Sequence, residues 1–169
     1  MGRILKHRAT SPVSVRGNDN MNEERTLTPA QRKAWRALYE AHGRATRRIE
    51  HALAIAGVGS LSDYAVLFTL YESPDRRVRL SELADAAMLS RSGLTRLVTR
   101  LETLGYLTRA SCASDRRGTF AVLTDAGVAE MRRIWAVYSP AIAGIFGTQV
   151  SDAELDAMTV LLRRTLPAE

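Results

Sequence analysis

Apolar positions in this chain recur at two spacings, and the change between them marks out its elements. Trp35, Leu38, His42, Ala45, Ile49, Ala52 and Ala56 follow steps of three and four residues, which puts all seven on one stripe of a long helix. Thr28-Pro29 opens that helix, with Thr as N-cap and Pro at the first helical position, and Gly57-Val58-Gly59 closes it. Gly43 is a weak spot inside it. So long and narrow a stripe on a first helix suits packing against another subunit or the end of the chain. A second helix, capped by Ser62, carries Ala65, Val66, Phe68, Leu70 and Tyr71 and closes at Ser73-Pro74. Ser81 caps a third, with Leu83 and Ala84 inward. Ser90 caps a fourth, whose buried face is Leu94, Leu97, Val98, Leu101 and Leu104 and which Gly105 stops. Leu107 to Ala113 and Thr119 to Leu123 then read as a hairpin with its turn at Ser114–Gly118. Thr124 caps a fifth helix running to about Ile145, with Val128, Met131, Trp135, Tyr138 and Ile142 apolar. Ser151-Asp152-Ala153-Glu154 has the pattern of a capping box for a last helix bearing Leu155, Met158, Leu161, Leu162 and Leu166.

This order predicts a mainly α chain of the α+β winged helix-turn-helix class: six helices with a two-stranded β wing. Residues 61–124 hold the winged part within a single domain spanning 28–169. Residues 1–27 read as a basic arm without periodicity, expected to be disordered. Met21 as the true start, which would make the arm an artefact, is an equal alternative.

Charge sharpens the picture through its placement. The net charge is +6, and of the 24 basic residues only Lys6 and Lys33 are lysines. Arginine is the better fork for phosphate and guanine, although a GC-rich genome would also raise the arginine count. Residues 74–118 carry nine arginines (76, 77, 79, 91, 96, 100, 109, 116, 117) against five acids. The excess falls on the helix-turn-helix and the hairpin, which favours nucleic acid as a partner. No apolar run approaches the roughly 18–20 residues that span a bilayer, and the N-terminus lacks the apolar stretch of a secretory signal. The single cysteine, Cys112, cannot form an internal disulfide, as expected for a cytoplasmic protein.

On the fourth helix the buried positions leave Arg91, Ser92, Thr95, Arg96, Thr99 and Arg100 facing outward. A helix entering the major groove reads bases with its first turns and meets phosphates at its N-terminus and flanks. Ser90, Ser92 and the N-terminal amides suit a phosphate. Arg96, on the second turn, can be bidentate to guanine, and Thr95 and Thr99 can meet a thymine methyl or a phosphate. In the turn Ser114-Asp115-Arg116-Arg117-Gly118, Asp115 is expected to pair with one arginine while the other enters a minor groove.

With its "LSELADAAMLSRSGLTRLVTRLETLGYLTR…SDRRGTFAVLTDAG", the chain resembles the MarR family of bacterial transcription regulators. The Asp115/Arg117 spacing, the Leu123-Thr124 closing the wing and the Gly127 beyond it carry that resemblance, which covers residues 28–166. It implies a homodimer built from the N- and C-terminal helices (28–57 and 125–166) that binds double-stranded DNA at a pseudo-palindromic site. It further implies repression relieved by a small, often aromatic or phenolic, effector. Arg117 would then be the minor-groove residue, Asp115 its brace and Arg116 an extra cation.

Trp35, Tyr39, His42 and Tyr64 could line such an effector pocket between the first two helices, with His51 nearby. A lone histidine on an apolar stripe and aromatics at helical spacing are more often ordinary core residues. Cys112, among Arg109, Arg116 and Arg117, raises redox sensing as an alternative; an inert small side chain is the simpler reading. A protein-interaction module is a further alternative, disfavoured by arginines on both helix and wing. The absence of a Gly-rich phosphate loop, a serine elbow and metal-ligand spacing argues against an enzyme, a metal site or a cofactor.

Overall fold

The computed structural model describes residues 27–112 and 115–165 and, for residues 112 and 115–118, the backbone alone. The chain divides into two compact units, Met1–Ala37 and Leu38–Glu169. The first contributes only the opening turns of α1 (Pro29–Ala56) to the description. There Thr28 and Gln31 form a reciprocal capping box: Gln31 N–H donates to Thr28 Oγ1 (3.1 Å) and Thr28 N–H to Gln31 Oε1 (2.8 Å).

After α1 come α2 (Leu61–Glu72), a 3-10 turn (Pro74–Arg76), β1 (Arg77–Arg79), α3 (Leu80–Ala86), α4 (Arg91–Thr103), β2 (Leu107–Cys112), β3 (Asp115–Leu123), α5 (Asp125–Phe146) and α6 (Asp152–Thr165). The strands form one antiparallel sheet in the order β1-β3-β2. β1 adds a third strand beside the expected hairpin; at three residues it is too short to show a period, and only pairing with β3 defines it. The hairpin is also tighter than expected. Cys112 pairs with Asp115 across a register irregularity at Ser111/Cys112, so Asp115–Gly118 belongs to β3 rather than to a turn.

One core joins the helices to the inner face of the sheet. Leu53 of α1, Val66, Leu67 and Leu70 of α2, Leu83 of α3, Val98 and Leu101 of α4, Leu107 of β2, Ala121 of β3 and Ile134 of α5 are all almost completely buried. The α1 stripe is buried only at Ile49, joined by Leu53, whereas Trp35 is 62% exposed and His42 lies open. No residue of α6 is fully buried: Leu155 is half-buried, and Met158, Val160, Leu161 and Leu162 are all exposed. Leu104, expected on the buried face of α4, is 51% exposed, because α4 stops at Thr103 and Gly105 turns the chain away at φ 75°. No single helix among the described residues is long and apolar enough to cross a membrane.

Three helix ends share one device. After α4, Gly105 N–H bonds Glu102 O (2.9 Å) and Tyr106 N–H bonds Leu101 O (2.9 Å) around a left-handed glycine. α1 ends likewise at Gly57 (φ 63°), with Val58 N–H on Leu53 O. After α3 the bonds are Met88 N–H to Asp85 O (3.0 Å) and Leu89 N–H to Ala84 O (2.8 Å), yet the left-handed residue is Met88, at φ 54°. This is the turn of the helix-turn-helix.

Two caps fall elsewhere than expected. α2 is capped by Ser60, whose hydroxyl accepts from Asp63 N–H while Asp63 Oδ2 accepts from Ser60 N–H, so Ser62 is not the cap. α3 begins at Leu80 behind Arg79, without a side-chain cap, so Ser81 is already helical. Ser90, Thr124 and Ser151 cap α4, α5 and α6 as the sequence implies.

Candidate nucleic-acid interface

α3, its turn and α4 set the candidate interface. Leu94, Leu97, Val98 and Leu101 anchor α4 in the core. Arg91, Ser92, Thr95, Arg96, Thr99 and Arg100 lie on the exposed side, as the spacing requires. Their environments then divide the helix in two. Along its first half, Arg91, Ser92 and Arg96 stand in solvent with no ion pair among the described residues. Ser90 Oγ accepts Gly93 N–H (3.2 Å); a Cβ on residue 93 would sit 2.9 Å from that oxygen, so Gly93 makes room for the cap. Thr95 and Thr99 donate their hydroxyls back to the carbonyls of Arg91 and Thr95 (3.0 Å each), which satisfies the donors locally.

The second half is tied down. Arg109 of β2 donates to Thr99 Oγ1 (2.9 Å) and pairs with Glu102 (3.3 Å), fastening α4 to the base of the hairpin. Arg100, read from the sequence as a DNA contact, has another partner: its Nη2 donates to Oδ1 of Asp63, which is buried in α2. The Arg100 side chain as a whole is half-exposed.

The sheet carries cations that sequence reasoning counted without placing. The guanidiniums of Arg77 and Arg79 lie 4.7 and 5.2 Å from the centre of the Phe120 ring, which faces them from β3. The alternation Arg-Val-Arg, with half-buried Val78 between, is the signal that could have found this arrangement. Arg76 reaches Asp125 at the start of α5 (3.0 Å). Asp115, Arg116 and Arg117 lie on β3; the expected brace and minor-groove roles, and either reading of Cys112, concern side chains outside the described residues.

A second candidate site is an open groove of about 840 Å3 between α1, α2, the α3–α4 turn and α5. His42 and Tyr64 line it together with Phe68, Met88 and Tyr138. Tyr39 lies instead along a smaller depression on α1 that also includes His42 and Arg47. Trp35 and His51 line neither. Tyr64 is the hub of an aromatic cluster, stacked on Phe68 (5.4 Å) and Trp135 (5.6 Å) and edge-on to Tyr138 (5.2 Å). Burial, then the Tyr138 phenol and the Glu72 carboxylate, push the Tyr64 hydroxyl above the usual tyrosine range. Among the described residues no group of three or more His, Cys, Asp or Glu could hold a metal ion.

A short supporting helix, an anchored helix with an exposed arginine face and a β hairpin beside it define a winged helix-turn-helix protein. Residues 59–118 match the model of the MarR family. The chain is similar to Sco3205, a MarR family transcriptional regulator from Streptomyces coelicolor whose structure was solved in complex with DNA. That match has a TM-score of 0.76 and 32% identity over 86% of this chain and 91% of that one. It is also similar to AbsC from the same organism, with a TM-score of 0.73 and 34% identity over 83% and 95% of the two chains. The regulator MhqR of Bacillus subtilis (strain 168) is 29% identical over 103 residues, 61% of this chain and 69% of that protein. This chain therefore belongs to the MarR family of transcriptional regulators, and its relatives are regulators rather than enzymes.

Proposed function

We propose that the chain is a sequence-specific regulator that binds double-stranded DNA as a homodimer. In this reading α4 enters the major groove and the β2–β3 hairpin the adjacent minor groove. The observation that carries it is the division of α4: Arg91, Ser92, Thr95 and Arg96 are exposed beside a helix N-terminus, while the helix's other end is bound to α2 and β2. Arginines with no acidic partner among the described residues, at the leading end of an anchored helix, suit phosphate and guanine. That Sco3205 was solved on DNA supports the same use here.

The dimer reading rests on surfaces of the terminal helices. Trp35 and Tyr39 on the first half of α1 and the Met158, Val160, Leu161 and Leu162 side chains of α6 are large hydrophobics left exposed, more than scattered surface hydrophobes require. A second copy is the occupant the family resemblance implies. Repression released by a small aromatic effector is the accompanying reading, supported by the groove with Tyr64, Phe68 and Tyr138 on its wall. The effector test is titration of operator-bound protein with phenols and hydroxylated aromatic acids: release that Tyr64→Ala abolishes supports the groove, and release unaffected by that change refutes it. For DNA, Arg117→Ala should weaken binding most where A·T pairs face the hairpin; unchanged affinity would remove the hairpin from the interface.

A further inference from the structure

We propose that Asp63 is a positioning residue for DNA recognition: through Arg100 it fixes the pose of α4, and Arg100 serves this joint rather than a phosphate. The proposal rests on the reading of α4 as the helix that enters DNA.

Asp63 is 2% exposed. Its first task, accepting Ser60 N–H through Oδ2 (2.8 Å), needs one oxygen and no charge; a neutral amide oxygen would cap equally well. A buried carboxylate is costly unless paired, so the charge calls for a second role. The structure supplies one in Oδ1, which accepts from Arg100 on the last turns of α4, 37 positions away.

The ground to which Arg100 is fastened is itself held from several sides. Three successive backbone N–H groups where the α1–α2 connection enters α2 each meet a carboxylate from a different helix. Gly59 donates to Glu130 of α5 (3.0 Å), Ser60 to Asp63 of α2 (2.8 Å) and Leu61 to Glu50 of α1 (3.1 Å). Glu130 is buried and takes Arg133 as its counter-ion (2.7 Å). A side chain at residue 59 would collide with Asp63 Oδ2 and Ile134 Cδ1, both 2.9 Å from the added carbon. This packing leaves Asp63 little freedom. With Arg109 gripping Thr99 and Glu102 on the hairpin side, α4 is braced on two flanks, and only its N-terminal half is left for DNA. Because base contacts require placement to within a fraction of an ångström, loosening one brace should cost specific binding and spare non-specific attraction.

The two roles open to Arg100 predict opposite signs. As a phosphate contact, Arg100 would be restrained by Asp63, so Asp63→Asn would free the guanidinium and leave DNA affinity unchanged or raised. Arg100→Gln would then weaken selected and random DNA alike and flatten the salt slope by about 0.9 for each phosphate no longer neutralised. As a positioning pair, both changes should lower affinity for the selected duplex roughly tenfold or more, with little change on random DNA or in its salt slope. The double variant should then be no worse than either single one.

The experiment is fluorescence anisotropy of the full chain on a duplex selected from a random pool by the unmodified protein, against random duplex, over a salt series. Far-UV circular dichroism checks folding, and Arg100→Gln, whose site is half in water, carries the test if Asp63→Asn does not fold. Arg96→Ala separates the two levels. If it leaves selected-duplex affinity unchanged, the reading of α4 itself fails. If it lowers that affinity while Asp63→Asn and Arg100→Gln do not, the positioning role alone is overturned.

Discussion

Replacing Gly127 by alanine would place a methyl group against the carbonyl oxygen of Tyr106, well inside van der Waals distance, with Leu123 Cδ1 only 2.7 Å away. The same carbonyl accepts Thr124 N–H (3.1 Å), while Thr124 Oγ1 donates to Gly105 O (2.7 Å) and accepts Gly127 N–H (3.0 Å). The start of α5, the end of β3 and the segment after α4 therefore meet at one point, and glycine is what lets them approach. To admit a methyl, α5 must shift and the cap must loosen. Overpacking of this kind costs about 1–3 kcal/mol and loss of an N-cap about 1 kcal/mol. Alanine's helix preference returns about 1 kcal/mol, leaving a net destabilisation of roughly 1–3 kcal/mol. Equilibrium urea unfolding, followed by circular dichroism at fixed protein concentration, should show a midpoint lowered by roughly 1 M, given a slope of about 1–3 kcal/mol/M. An unchanged or raised midpoint would mean that helix preference wins, and would refute the close approach argued at Gly127.

Further outcomes follow from other sites. Met88→Gly should raise stability by about 0.5–1 kcal/mol, because a left-handed position favours glycine and this side chain is 90% exposed; a lower urea midpoint would contradict this. For the homodimer proposed above, Val160→Asp together with Leu161→Asp should shift the protein toward monomer in sedimentation velocity, and a dimer unaffected by the change would exclude α6 from the interface. Arg96→Ala should reduce discrimination between selected and random duplex by about 1–3 kcal/mol, with the change concentrated at one base position. The raised pKa of Tyr64 means that the folded state favours the neutral phenol. The associated stability is present below the free-tyrosine value near pH 10 and is lost as pH rises through the folded value. Unmodified protein should thus lose more stability than Tyr64→Phe on moving from neutral to strongly alkaline solution, as read from paired urea midpoints.

The parts legible in the sequence are those governed by near neighbours. The buried face of α4, the caps at Ser90, Thr124 and Ser151, and the glycine stop at Gly105 depend on spacings of three or four residues. Ser60 was missed in favour of Ser62, although Asp63 stands three residues after Ser60, the spacing of a reciprocal cap. The fate of Arg100 was not legible: exposure by helical period is a local property, but its partner Asp63 comes from another helix. The clasp of Arg77 and Arg79 on Phe120 likewise depends on β1 pairing with β3, and a three-residue strand offers no periodicity from which to infer that pairing. Exposed arginines at Arg91 and Arg96 follow from period alone, and there the sequence and the fold agree.

In the function proposed above, α4 and the hairpin recognise particular DNA sequences rather than charge. The direct measurement is binding of the full chain to its selected duplex and to random duplex, by anisotropy, as salt is raised. Affinity for random DNA should fall steeply with salt, while the selected duplex keeps a large advantage and saturates at two chains per site. Equal affinity for the two duplexes, collapsing together as salt rises, would mean that the protein detects charge alone.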